Sequence, residues 1–241
     1  TDGMRSIGDV INLLKETKTD FLFLGWLRDR PYPESCLDLP LEQASICEEY
    51  GLSYEHFRDA VNKIKREKPD LIFTGGVALE FLYKKERNPM TGENFEQEET
   101  WEMALDPSKW GIDMSKEEFQ CGFAKTVGWI GPEGKCPNVY DPKKVPAYFP
   151  DITNPKFQGL FLSWAKKQID CGVDAIWIDM LFSQAVMLAK ITGNPSHPAV
   201  KESFDAACEI VNEIHSYGYS KGKYIYVGSG AGFVRFPYPP P

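Results

Sequence analysis

No apolar run in the sequence approaches the ~20 residues that a membrane-spanning helix needs, and no signal peptide is expected from the residues present. Histidine is scarce: His56, His197 and His215 are the three in 241 residues. They lie too far apart for metal-ligand spacing, so no metal is expected. Basic charge is also short, with 27 Lys and Arg against 35 Asp and Glu. The net charge of −8 argues against nucleic acid and against an anionic membrane as partners. None of the six cysteines (36, 47, 121, 136, 171 and 208) forms a Cys-x-x-Cys pair. They read as buried or incidental thiols, which leans towards a reducing, cytoplasmic setting, with secretion kept open. A full nucleotide-binding fingerprint is missing too. Thr74-Gly-Gly76 and Gly228-Ser-Gly-Ala-Gly232 follow apolar runs, but no Lys stands in P-loop position. Both read as tight turns, with phosphate binding their minor alternative, and no cofactor is expected.

What is present is a helix-then-strand rhythm. The 42% hydrophobic and 26% charged residues are ordinary for a globular chain, and 241 residues suit one domain. Apolar residues at helical spacing predict a helix over 6–17 (Ile7, Val10, Ile11, Leu14), then a buried strand over 20–25. The unit recurs with helix 53–67, opened by Ser53, and strand 71–76. It recurs with helix 155–171, where Asn154 is suited to cap and Pro155 to the first helical position, and strand 173–178. Helix 199–216 and strand 224–227 complete a fourth unit. Such alternation predicts a parallel sheet with crossover helices. The expected fold is an α/β barrel of the (β/α)8 kind, modified or incomplete. Four good strands, plus an irregular one over 124–130, fall short of eight. Residues 84–150 break the rhythm and read as a long βα loop over the active face. The Pro-rich end, 236–241, cannot continue a sheet.

Asp179 ends the run Val173–Ile178, and the C-terminal edge of parallel strands is where such folds place their chemistry. An Asp there can equally cap the next helix. Upstream stands Phe149-Pro-Asp-Ile-Thr-Asn-Pro155, then the Trp-containing helix, then Trp177-Ile-Asp-Met180. This arrangement resembles the retaining α-glycosidases of glycoside hydrolase family 31, over about residues 147–182. Related barrel glycosidases share weaker forms of both motifs. The resemblance implies a glycoside hydrolase acting on a carbohydrate substrate, with Asp179 as nucleophile. It departs at Ile152, and at Leu181-Phe182, which stand where the family has Asn-Glu.

Retaining enzymes pair the nucleophile with an acid/base carboxyl about 5–5.5 Å away. In the family that acid follows a later strand, yet no Asp or Glu occurs after Glu213. Strand-end candidates are Asp29 and Glu80. Asp29 could instead pair with Arg28 or Arg30, and Glu80 could be a helix-face carboxylate. For substrate binding the candidates are Trp26, Trp129 and Trp177, whose rings can stack on sugar faces, with Arg28 and Asp151. Asp151 also has the short polar side chain that shapes its own loop. Two other functions stay open: a barrel that binds carbohydrate or a partner without turnover, and a phosphosugar enzyme using the glycine-rich turns.

Overall fold

The structure, a computed structural model, describes residues 6–136, 141–230 and 236–239. The main sheet is built from β1 (Phe21–Arg28), β2 (Ile72–Ala78), β7 (Ala175–Asp179) and β8 (Tyr226–Ser229), in that order and all parallel. Between β2 and β7 lie four two-residue strands, β3 (Leu82–Tyr83), β4 (Glu86–Arg87), β5 (Asn94–Phe95) and β6 (Ala147–Tyr148). They pair antiparallel as β3–β6 and β4–β5. The helices are α1 (Ile7–Glu16), α2 (Leu41–Tyr50), α3 (Tyr54–Glu67), α4 (Gln97–Glu102), α5 (Lys116–Thr126), α6 (Pro155–Asp170), α7 (Ser183–Thr192) and α8 (Pro198–Ser220).

All four predicted helix–strand units are present, but β1, expected to be buried, alternates exposed and half-buried residues from Phe21 to Trp26. Capping follows the sequence signals: Ser6, Ser53 and Asn154 accept main-chain N–H groups at the starts of α1, α3 and α6. The core lies between one sheet face and the crossover helices. Phe57, Val61, Phe157, Phe161, Trp164, Ile210 and Ile214 cover Phe73, Ile176 and Ile178. Helix α6 packs so closely on β2 that a Cβ at Gly75 would sit 2.1 Å from Gln168 Oε1. Only glycine fits there without displacing a buried amide that itself donates to the Gly76 carbonyl.

The expectation of a (β/α)8 barrel reduces to a coarser result. Among the described residues the sheet is a four-stranded parallel one, open at β1 and β8, and no barrel closure is seen. Among the described residues no layer covers its second face, which carries apolar side chains. Phe21 and Phe23 on β1 and Tyr226 on β8 are 52%, 49% and 55% exposed. Trp177 stands between them, edge-on to Phe23 at 4.9 Å.

Residues 124–130 do not form a strand. Ala124 to Thr126 end α5, because Phe119, Phe123 and Ala124 recur at helical spacing behind a Ser115–Glu118 capping box. Gly128, at φ +78°, then turns the chain. The long loop is well packed: Phe119, Phe123 and Phe149 form one cluster, Ala124, Val145 and Tyr148 another. The reading of the cysteines as thiols is corrected for four of the six. Cys36–Cys47 and Cys121–Cys136 are disulfides, and Cys171 and Cys208 are free. Their spacings match no framework, but folding brings each pair of Cα atoms to 5.5 and 5.8 Å, the distance a disulfide spans. The cysteine argument for a reducing compartment goes with it. No helix among the described residues is long and apolar enough to cross a membrane.

Candidate active site

The site is assembled where β2 and β7 end side by side. Ala78 is in register with Asp179, and the Leu79 N–H donates to the Asp179 carbonyl at 3.3 Å. Glu80 therefore leaves its strand immediately beside Asp179. Met180 adopts φ +57°, turning the chain sharply after the acid. The Leu181 N–H then donates to Ser229 Oγ at 3.2 Å, which ties the exit of β7 to the end of β8. Helix α7 starts after Phe182 with no side-chain cap. Asp179 is thus not the N-cap that its position also allowed.

Burial pushes the Glu80 carboxyl above the usual carboxylate range, and the negative charge of Asp179 adds to the shift. Glu80 is half-buried and borders a cleft of about 430 Å³ lined by Met114, Phe119, Phe123, Met187 and Ile191. Of two neighbouring carboxyls, the one whose pKa is raised is the better placed to give a proton while the other acts as a base or nucleophile.

The other sequence candidates are placed as follows. Asp29 follows β1, and its carboxylate accepts from Arg30 Nε and Nη2 (3.2 and 3.1 Å) and from the Tyr32 hydroxyl (2.9 Å). Burial works to raise its pKa, but the Arg30 and Tyr32 hydrogen bonds and the Arg30 charge outweigh it and hold the group low. Arg28 is buried: it donates to Glu86 and lies 3.5 Å over the Trp164 ring. Trp26 turns to the helix side and stacks on Phe57 at 4.5 Å, while Trp177 faces the open side of the sheet. Trp129 packs against Phe81 and Phe123 in the long loop. Asp151 is buried, accepting from Lys109, from Thr153 N–H (3.0 Å) and from Gln184 Nε2 (3.0 Å). It fixes the loop against the first turn of α7. The Gly228–Gly232 turn lies in part outside the described residues.

Glu80, Asp179 and Trp177 are therefore grouped at or near the ends of two adjacent strands. Sequence reasoning missed Glu86, the buried partner of Arg28. Nothing in the charged stretch Lys84-Lys-Glu-Arg87 marks that one carboxylate as internal. The apolar wall supplied by α5 was missed as well, although Phe119 and Phe123 stand four residues apart behind a Ser-x-x-Glu start.

No family model and no curated protein matches the sequence. Among solved structures, the chain is similar to the glycoside hydrolase domain of PelA from Pseudomonas aeruginosa. The identity is 9% and the TM-score 0.34, over 70% of this chain and 47% of that one. The chain thus spans about half the length of that structure. A likeness this slight assigns no residue and no mechanism, and the resemblance to family 31 rests on its two motifs alone.

Proposed function

We propose that the protein is a carbohydrate-active hydrolase that cleaves glycosidic bonds with retention, on a scaffold corresponding to part of a (β/α)8 barrel. The observation that carries this reading is the pair of acids leaving adjacent strand ends, one of them held above its ordinary pKa by burial and by the other's charge. Asp179 is the nucleophile. Glu80 protonates the leaving oxygen and then, as a carboxylate, takes the proton of the water that resolves the intermediate. Trp177, two residues before Asp179 and on the open face of the sheet, offers a ring to the sugar. Asp29, kept ionised by Arg30, is the poorer proton donor of the two strand-end candidates.

The test is a panel of aryl glycosides. Asp179→Asn should abolish turnover, and Glu80→Gln should slow glycosides with poor leaving groups by about 10²–10⁴-fold while sparing activated ones. An Asp179→Asn protein as active as the wild type would sink the proposal. The cleft also favours a second reading, binding without turnover, because its wall is mostly apolar, with Glu80, Glu118 and Thr126 its polar side chains. Retention of an oligosaccharide with no release of reducing ends identifies that case.

A further inference from the structure

A second group of reactive side chains lies well away in sequence from the two strand-end acids. Cys36 opens the short 3-10 turn Cys36–Asp38, Cys47 sits on α2, and His56 lies in the first turn of α3. They stand 11 and 20 residues beyond Cys36, a spacing that announces no metal site. Folding nonetheless places His56 Nδ1 3.8 Å from Cys36 Sγ, whose disulfide partner is Cys47. Donor atoms of Cys36, Glu48 and His56 all lie within 4.8 Å of one another.

The contacts around His56 give each ring nitrogen its own neighbours. Glu48 Oε2 lies 3.3 Å from Nε2. Nδ1 meets the Ser53 hydroxyl at 2.7 Å and the Cys36 sulfur at 3.8 Å. Ser53 in turn is anchored as the cap of α3, accepting the His56 N–H at 3.2 Å. A histidine with one nitrogen beside a carboxylate and the other beside cysteine sulfur has the arrangement found in zinc sites. Tetrahedral zinc with ordinary Zn–S and Zn–N bonds sets sulfur and nitrogen about 3.6 Å apart. The observed separation of 3.8 Å needs little adjustment.

We propose that reduction of Cys36–Cys47 converts this corner into a zinc site, with both thiolates and His56 Nδ1 as ligands, a water in the fourth position, and Glu48 orienting the imidazole. A dithiol reductant supplies the two electrons. Its two sulfurs join in a new disulfide, the Cys36–Cys47 bond breaks, and its two hydrogens pass to Cys36 and Cys47. Zinc then displaces those two protons to solvent, and Ser53 gives up its bond to Nδ1. Oxidation reverses the sequence and releases the metal. The corner therefore holds either a disulfide or a metal ion, never both.

Cobalt titration of the full chain, oxidised and phosphine-reduced, tests this under anaerobic conditions, with zinc as competitor. Reduced protein should take up one cobalt per chain and show a thiolate-to-cobalt charge-transfer band, and oxidised protein should show none. Glu48→Gln should weaken binding about 10- to 100-fold, and His56→Ala by at least as much. Paired Ser variants at Cys121 and Cys136, or at Cys171 and Cys208, should leave it unchanged. Circular dichroism reports whether the reduced chain stays folded. The proposal is overturned if reduced wild type binds nothing, folded or not. It is equally overturned if the Cys36→Ser, Cys47→Ser double variant keeps the band, or if His56→Ala binds as tightly as wild type.

Discussion

At the scale of single residues, the Glu80–Asp179 pair makes a direct electrostatic prediction. Removing the charge at Asp179 removes one of the two causes that raise the Glu80 carboxyl, so Asp179→Asn should lower the Glu80 pKa towards the ordinary value without restoring it fully. Carboxyl-detected NMR titration measures this, and an unchanged Glu80 would mean the two groups do not interact. The stability sign follows from the same shift. A carboxyl raised in the folded state binds its proton more tightly there than in the unfolded chain. It costs stability as pH rises through the ordinary Glu value up to the folded one. Glu80→Gln should therefore flatten that part of the stability-versus-pH curve. Arg28 and Glu86 show the opposite kind of pairing. Both are buried, and the guanidinium also covers Trp164. Arg28→Ala leaves Glu86 in the core without its partner and should cost about 3–5 kcal/mol in urea unfolding, whereas Arg28→Met with Glu86→Leu should recover much of it. Asp179 was legible in the sequence because it ends an apolar run, and Glu80 because it follows a glycine-containing strand. Glu86 was not, since burial of one charge among Lys84, Lys85 and Arg87 depends on contacts 58 residues away.

At the scale of elements, the crossover units were legible because each carries its own start and stop. Asn154-Pro155 and Gly172 bracket α6, and Ser53 opens α3. Asn154 accepts from the N–H groups of Lys156 and Phe157, so Asn154→Ala should cost about 1 kcal/mol, read from the same unfolding curves. The α6–β2 contact adds a sharper test. Gly75→Ala drives a methyl into the Gln168 amide and should destabilise by about 1–3 kcal/mol, with Gln168→Ala in the same chain giving partial relief. The misread element was the end of α5. Val127-Gly-Trp-Ile130 has strand-like composition, but the capping box twelve residues earlier and the buried Phe119–Phe123 face decide the local structure. Composition of a short window lost to packing of a longer one.

For the whole molecule, the parallel sheet followed from alternation alone, while barrel closure did not follow from any residue. Closure is set by strand number and by what meets the sheet edges, and the described residues supply four strands. The disulfides were illegible for a related reason: Cys36–Cys47 joins a 3-10 turn to α2 and Cys121–Cys136 joins α5 to the segment after it, at separations of 11 and 15 residues that match no known framework. Cys121–Cys136 closes a loop of 15 residues between α5 and the segment after it. Replacing both with Ser should cost about 3 kcal/mol by thermal or denaturant unfolding. No loss would mean that the long loop is held by its aromatic clusters alone.

Strand β1 is kinked where it could be most dangerous. Its pairing with β2 slips between Leu22 and Trp26, and Leu24 takes φ +48° inside the slip. The outermost ribbon, bearing two uncovered phenyl rings, is therefore bent at its middle and cannot offer a long straight ladder of amides to a neighbouring chain. Stacking into fibrils by simple rim-to-rim addition is disfavoured at that border.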